Sequence, residues 1–208
     1  MTTVLNSTLP ARPETAPSIE LAPRIPIADP AALGLGAFAL TTFVLSLANS
    51  GLIPTAGAAV IGLALFYGGI AQFAAGMWEF LKGNTFGATA FTSYGAFWLA
   101  FWWLLTHPET EAAAGAAGIG AFLLAWTIFT AFMTVAALKT NGMLVALFAA
   151  ATLTFLALTI GAFTGITAVH HLGGWIGLVT AGIAWYGSFA VVTNTTWKRT
   201  VLPLGHIK

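Results

Sequence analysis

The sequence predicts an all-α integral membrane protein with six transmembrane helices packed in a bundle. Of the 208 residues, 58% are hydrophobic and only 6% are charged, whereas a soluble domain is about 25% charged. Six apolar stretches recur along the chain, and each has the roughly 20 residues that cross a hydrocarbon core about 30 Å thick. The solvent around these stretches is therefore expected to be lipid.

Short loops separate the six stretches and hold most of the charged residues. Asp29 is expected to cap the first helix, with Pro30 in its first turn and Pro54 closing it. Glycines in the second stretch favour close contact between helices. The predicted spans cover approximately residues 33–53, 57–81, 86–105, 118–138, 143–163 and 172–192.

The two ends of the chain are polar by comparison. Residues 1–28 are rich in Pro, Thr and Ala and lack the apolar segment of a signal peptide, so a disordered tail is predicted. Residues 29–194 form the transmembrane domain and residues 195–208 a second tail. With six spans both ends lie on one side of the membrane, and every Lys and Arg falls on that side. The positive-inside rule then predicts a cell membrane protein with both termini in the cytoplasm.

Several classes of function are excluded by what the sequence lacks. The chain has no cysteine, so disulfides and thiolate metal sites are impossible. A net charge of +1 without a basic stripe argues against a nucleic-acid partner. No Walker loop, zincin motif, nucleophile elbow or carboxylate pair is present. We therefore expect neither an enzyme nor ATP-driven transport, and no pattern indicates a cofactor or a metal.

Polar side chains inside the spans need partners, because an unsatisfied polar group in hydrocarbon costs several kcal/mol. On a 3.6-residue period, Thr42 and Asn49 share a stripe with Phe38. Asn49 and Gln72 carry amides that need several partners, which either neighbouring helices or a solute can supply. Thr89 belongs to a second stripe of hydroxyls, which backbone carbonyls one turn earlier can also satisfy.

The third span carries two different faces. Tyr94 points nearly opposite Thr85, the first hydroxyl of the second stripe, so the two are not expected to face the same pathway. At the far end of this span, Trp98, Trp102 and Trp103 are expected to form an interfacial belt.

Two pairs of ionisable residues lie near span ends, and each pair has two interpretations. Glu79 and Lys82, at an i,i+3 spacing, fit a mutual ion pair; alternatively, Glu79 accepts protons at the inner mouth of a pore. His170 and His171 diverge by about 100° on a helix and cannot share one ion in the usual i,i+4 manner. They fit a cap or an interfacial position, and the alternative is a haem, metal or proton site.

Four runs of sequence resemble a known family: DPAALGLGAFALTTFVLSLANSG (29–51), FYGGIAQFAAGMWEFLKGNTFGATAFTSYGAFW (66–98), HLGGWIGL (171–178) and RTVLPLG (199–205). The first is similar to the amino-terminal signature of the acetate uptake transporters, the family of the acetate/succinate permease SatP. In that signature NPAPLGL is followed by a Thr-Thr pair. Asp29 and Ala32 stand where the family more often has Asn and Pro.

The resemblance implies a carrier of small monocarboxylates or dicarboxylates, acetate first and succinate in some members, that works by proton-linked or channel-like passage. It also implies a homo-hexamer in the lipid bilayer with one pore through each protomer. The family's pore constriction is formed by a Phe that matches Phe38, a Tyr that matches Tyr94, and a Leu that aligns with Ala151. The smaller Ala151 predicts a wider constriction and bulkier substrates, unless Leu153 or Phe155 takes its place.

The cost of moving a charge into hydrocarbon explains why such a function needs polar side chains inside the spans. Moving a bare carboxylate into hydrocarbon has an idealised cost of about 20 kcal/mol, so a pathway must supply donors or protonate the anion. Donors at Thr42, Asn49, Gln72, Thr89 and Tyr94 can relay a carboxylate without trapping it. Two rivals stay open. One is a passive anion channel, and the other is a non-transporting structural or haem-binding membrane subunit that uses His170 and His171.

Overall fold

The structure, a computed structural model, describes residues 27–205. The predicted disordered tail, which includes Arg12 and Arg24, lies outside the described residues except for positions 27 and 28. Lys208 also lies outside the described residues.

A helix covers each of the six predicted stretches. The second stretch is one continuous helical rod of 27 residues, Ala56–Lys82, in which a six-residue π-helical segment interrupts the α-helix. The helices are α1 (Ala31–Asn49), α2 (Ala56–Leu65), the π segment (Phe66–Ala71), α3 (Gln72–Lys82), α4 (Thr85–Thr106), α5 (Pro108–Ala137), α6 (Gly142–Thr164) and α7 (Thr167–Thr196).

The end of α1 differs from the prediction, because the helix stops at Asn49 and does not run on to Pro54. The hydroxyl of Ser50 donates to the carbonyl of Leu47 and accepts from the Leu52 N–H. Gly51 then adopts a left-handed conformation with φ of 78°, which glycine reaches without steric cost. The chain therefore reverses three residues before the proline.

Asparagine and aspartate side chains set the starts of three helices. Asn84 accepts from the Gly87 N–H and Asn141 accepts from the Leu144 N–H, so both are N-caps. At α1 the cap position belongs to Pro30, one residue later than predicted. Asp29 still accepts from the Ala31 N–H at 3.0 Å, and so satisfies one of the free donors of the first turn.

Five helical segments within residues 27–205 are long and apolar enough to cross a membrane. The 22 residues of α4 provide sufficient length, but α4 is not among the five. Its Thr, Ser, Tyr, Trp and Gly residues lower its hydropathy, and much of it is buried by its neighbours. The multi-pass helical bundle is confirmed, while the count of six spans stays a prediction.

Small residues let the helices approach closely. α1 packs along α7, α6 packs between α5 and α7, and α3 packs on α4. The glycines of the second rod include true contact positions: a Cβ on Gly68 would lie 2.8 Å from the Thr41 hydroxyl, and Gly76 lies directly against Thr92. A Cβ on Gly62 would meet no atom within 4 Å, because this glycine is exposed. The predicted tight bundling is therefore local to part of the rod.

The predicted tryptophan belt is wrong for Trp98. Its side chain is only 2% exposed and packs edge-on against Phe97. Trp103, in contrast, is 50% exposed and stacks on the His107 ring at 3.6 Å. Trp98 lies on the same face of α4 as Tyr94, one helical turn further on, and that face is turned into the bundle.

The close contact between α3 and α4 gives a test of the packing. A Cβ on Gly95 would lie 2.6 Å from the backbone nitrogen of Phe73, so Gly95→Ala is expected to cost about 1–3 kcal/mol of stability through overpacking. Thermal unfolding of the detergent-solubilised protein measures this cost. Gly62→Ala is the matched control, because it adds the same methyl group to open space; equal melting temperatures for the two variants would contradict the packing.

Candidate functional site

Two cavities lie within the bundle, and α1, α4 and α6 contribute walls to both. The first holds about 200 Å³ and the second about 220 Å³. We call them the Lys82 cavity and the His170 cavity after a residue that lines each. The Lys82 cavity is lined by Asp29, Ala31, Leu35, Phe38, Gln72, Lys82, Asn84, Phe86, Gly87, Ala90, Phe91, Tyr94, Asn141, Met143, Leu144, Leu147, Phe148, Ala151, Val191 and Leu204. The His170 cavity is lined by Phe38, Thr42, Leu45, Ser46, Asn49, Phe97, Trp98, Phe101, Leu104, Leu105, Glu111, Ile119, Phe122, Leu123, Ala151, Thr154, Phe155, Leu158, His170 and Thr180.

Phe38 and Ala151 line both cavities and so form the partition between them. Tyr94 lies on the Lys82 side of this partition, with its ring centroid 5.5 Å from that of Phe38. All three side chains are buried, at 8%, 3% and 3% exposure for Phe38, Ala151 and Tyr94. The three residues expected at a constriction are thus brought together where the two cavities meet.

The Tyr94 ring is held on several sides. Phe129 packs edge-on against it at 5.5 Å, and Trp126 and Phe148 lie at 6.0 and 6.1 Å. The hydroxyl donates to the Thr130 hydroxyl at 2.9 Å. Thr130 in turn donates to the Trp126 carbonyl at 2.7 Å. The hydroxyl proton of Tyr94 is therefore donated to Thr130. Tyr94 contributes its aromatic ring to the partition.

The stripe predicted on α1 lies along one cavity. Phe38, Thr42, Leu45 and Asn49 all line the His170 cavity. The Thr42 hydroxyl is buried and has no hydrogen-bond partner among the described residues, and the same holds for the indole N–H of Trp98. Both residues line the His170 cavity.

Gln72 supplies a buried amide to the other cavity. Its side chain is 1% exposed, lines the Lys82 cavity, and neither its amide oxygen nor its nitrogen has a partner within residues 27–205. A buried amide without partners is costly. Water or a solute in the Lys82 cavity would satisfy it.

The second hydroxyl stripe lies away from the cavities. Thr89 is only partly buried and lies outside both cavity linings. The Thr92 hydroxyl packs against Gly76 of α3. Tyr94 therefore lines a cavity, whereas Thr85 is exposed and lies outside both cavity linings.

Sequence reasoning missed most of the α6 wall. Leu144, Leu147, Phe148, Phe155 and Leu158 line the cavities with Ala151. Their spacing of three and four residues is one helical stripe, so the periodicity that identified the α1 stripe could have found them. Leu153 does not replace the missing side chain at Ala151, because it is 53% exposed on the outer face.

The predicted ion pair between Glu79 and Lys82 is wrong. Lys82 instead binds Asp29, with Nζ and Oδ1 2.8 Å apart. Glu79 is fully buried and accepts from the Asn84 side-chain amide at 2.9 Å, while its second oxygen has no partner among the described residues. Asn84 and Gly87, which touch Glu79, both line the Lys82 cavity. The carboxyl group thus lies just behind the cavity wall.

The two histidines point to different places. His170 is half-buried and lines the second cavity, whereas His171 is exposed and its ring lies beside Gly51. Within residues 27–205 no cluster of three or more His, Asp or Glu side chains could hold a metal ion.

The segment after α7, residues 197–205, folds back and packs beside the Lys82 cavity. The Asn194 side chain accepts from the N–H groups of Val201 and Leu202 and donates to the Leu202 carbonyl. The carbonyls of Leu204 and Gly205 then accept from the first N–H groups of α6. Leu204 thereby becomes part of the wall of the Lys82 cavity.

The comparisons with known proteins agree with this architecture. The model of the GPR1/FUN34/yaaH family matches residues 12–207. The chain belongs to this family. Among the GPR1/FUN34/yaaH relatives is the succinate-acetate/proton symporter SatP of Escherichia coli K12, which is 43% identical over 181 residues, 86% of this chain and 96% of that protein.

A second relative and a solved structure are also a transporter and a channel by name, and neither is an enzyme. Acetate permease A of Emericella nidulans is 41% identical over 197 residues, 86% of this chain and 66% of that protein. The solved structure of the bacterial acetate channel SatP has a TM-score of 0.82 and 43% identity, and the match covers 86% of this chain and all of that one.

The Tyr94 to Thr130 hydrogen bond gives a test of the site's internal support. Thr130→Val leaves the buried Tyr94 hydroxyl without a partner and is expected to cost about 1–3 kcal/mol. In a Tyr94→Phe background the same change should cost clearly less, since no hydroxyl remains to be satisfied. Thermal unfolding of the four proteins in this cycle measures the difference, and identical costs in both backgrounds would refute the bond.

Proposed function

We propose that this protein carries small carboxylates, acetate foremost and succinate or other short acids next, across the plasma membrane through the two cavities and the partition between them. The observation that carries the proposal is the meeting of both cavities at Phe38 and Ala151 beside the Tyr94 ring. The activities named for the GPR1/FUN34/yaaH relatives support acetate and succinate as substrates.

The cavities offer weak carboxylate partners on both sides of an apolar step. Gln72 on one side, and Thr42 with Trp98 on the other, have polar atoms without a partner within residues 27–205, and these atoms can bind a carboxylate in turn. No Lys or Arg within residues 27–205 lies at the partition. Conduction needs sites that bind the substrate strongly enough for it to enter and weakly enough for it to leave. Neutral donors meet that need.

We further propose six spans with the Lys82 end in the cytoplasm, together with both termini. The ion pair of Asp29 with Lys82 supports placing the start of α1 and the end of α3 on one side. The outward face of the bundle carries many exposed large apolar side chains, which suit lipid and neighbouring subunits of a homo-hexamer. The resemblance to acetate uptake transporters supports that number, and native mass spectrometry from nanodiscs counts the subunits.

Glu79 is the proposed proton acceptor if transport is proton-linked. Its carboxyl is buried beside the Lys82 cavity and shares a hydrogen bond with a lining residue, Asn84. Passive anion passage is the alternative mechanism. The haem-binding alternative is less well supported, because His170 and His171 do not face a common site.

Flux in proteoliposomes tests the function and the coupling together. Radiolabelled acetate uptake is measured with and without an imposed pH gradient, followed by a series of acids of increasing size. Acetate flux that the gradient drives uphill supports proton coupling, and flux that only follows the acetate gradient supports a channel. Absence of flux together with a haem absorbance band in the purified protein would overturn the proposal.

Tyr94→Ala is expected to produce leak or altered selectivity while the fold is retained, because the partition loses its largest neighbouring ring. The ratio of acetate flux to the flux of a larger acid, measured in proteoliposomes, reports the change. Unaltered flux and selectivity in a folded variant would remove Tyr94 from the partition.

Ala151→Leu is expected to narrow the range of substrates, since it adds an isobutyl group where both cavities meet. Uptake of acids larger than acetate should fall more than acetate uptake does. Ala146→Leu is the matched control, because Ala146 is exposed on α6 and lines neither cavity. An unchanged size profile for Ala151→Leu would refute the role of this position in pore width.

A further inference from the structure

We propose that Lys82 receives the substrate carboxylate at the mouth of its cavity and that Asp29 is a built-in competitor that promotes release. This inference rests on the proposed carboxylate transport. It assigns to the Asp29 and Lys82 pair a role in substrate affinity and turnover, in addition to its place in the fold.

The first argument is position. Lys82 is the one Lys or Arg within the described part of the chain that lines either cavity. It is the last residue of α3, and Asp29, which also lines this cavity, lies just before α1. A carboxylate that enters or leaves through the Lys82 cavity must therefore pass a cation and its counter-ion.

The second argument is accessibility. The side chains of Lys82 and Asp29 are 34% and 36% exposed, so both are reached by water. A partly exposed ion pair of this kind contributes little to stability, and it is screened and exchanged far more easily than a buried pair. The pair is therefore poorly suited as a structural lock and well suited to exchange of partners.

The third argument is that only one member of the pair is free to move. The Asp29 carboxylate also accepts from the Ala31 N–H at 3.0 Å, which fixes it at the start of α1. The Lys82 ammonium ends a flexible four-carbon chain and has this one ion-pair partner among the described residues. Glu79, three residues earlier, accepts from Asn84 and makes no salt bridge with Lys82 within residues 27–205.

The chemistry follows from the identity of the two anions. The substrate carries the same carboxylate group as Asp29, so it can replace Asp29 on the ammonium with no change in the kind of bond. When the substrate moves on, Asp29 recovers its partner and the bare ammonium is never left to hold the next anion too tightly. Lys82 thus favours anionic acids over neutral solutes, and Asp29 limits how long each anion stays.

Opposite shifts in KM test the pair. Asp29→Asn removes the competitor, so KM for acetate should fall and maximal flux should fall with it, because release becomes slower. Lys82→Gln should raise KM, and Lys82→Arg should restore it. One partly exposed charge pair corresponds to about a two- to fivefold shift, and high salt should reduce the shift.

The control variant, Lys139→Cys, also reports the orientation of the protein in the vesicle membrane. Lys139 is exposed and lines neither cavity, so Lys139→Cys should leave KM unchanged. Because the chain has no cysteine, an impermeant thiol reagent then tells which vesicle face carries the end near Asn141, a residue of the Lys82 cavity. The KM shifts are expected for acetate added on that face.

The possible outcomes distinguish failure of this inference from failure of the proposed function. Absence of acetate flux in the wild-type protein overturns the proposed function. Wild-type flux with KM unchanged in both Asp29→Asn and Lys82→Gln overturns the exchange of partners. Equal losses of flux in both variants with parallel losses of thermal stability would also overturn it, because a purely structural ion pair predicts shifts in the same direction.

Discussion

The structure depends on the requirement that polar atoms surrounded by hydrocarbon find partners within the protein. Most buried threonines meet it by donating to the carbonyl one turn earlier, as Thr127, Thr154 and Thr180 do. Three pairs of threonine hydroxyls also lie within hydrogen-bond distance across helices, where one member can donate to the other in place of its own helix carbonyl, and so link α5 to α6 and α6 to α7. Within residues 27–205, six residues keep a buried polar atom without a partner. Gln72, Thr42 and Trp98 line the cavities, whereas Thr41, Glu79 and Thr92 line neither cavity.

The partition combines close packing with low polarity. Phe38 on α1, Tyr94 on α4 and Ala151 on α6 come from three different helices, and Thr130 on α5 holds the Tyr94 hydroxyl. The mobility of the Tyr94 ring is limited by its aromatic neighbours, so the partition is built from closely packed surfaces. Small changes of side-chain volume at these positions therefore alter the partition itself.

Periodicity made much of this predictable. The bundle, the helix positions and the α1 stripe through Phe38, Thr42 and Asn49 followed from the spacing of apolar and polar residues. The hydroxyl stripe that begins at Thr85 lies outside both cavity linings, whereas Tyr94 lines one of them. Contacts between distant parts of the chain could not be seen in that way. The ion pair was assigned to Glu79 because it lies three residues from Lys82, whereas Asp29 is brought near only by the packing of α1 against α3. Likewise, the place of Trp98 toward one end of a predicted span suggests the membrane interface, whereas in the fold the second rod packs against it at Gly68.

The six-residue π segment before α3 gives the second rod two registers. Wider turns between residues 66 and 71 offset every later side chain relative to the α2 half, and Gln72 is the first residue after the offset. Gly68 and Gly69 allow this wider backbone to press against Thr41, Trp98 and Leu99. The side chains of α3 are therefore rotated about the rod axis relative to a continuous α-helix. Loss of one residue from the segment would turn α3 by about 100° and carry the Gln72 amide out of the cavity, with Glu79 and Lys82 turning along with it.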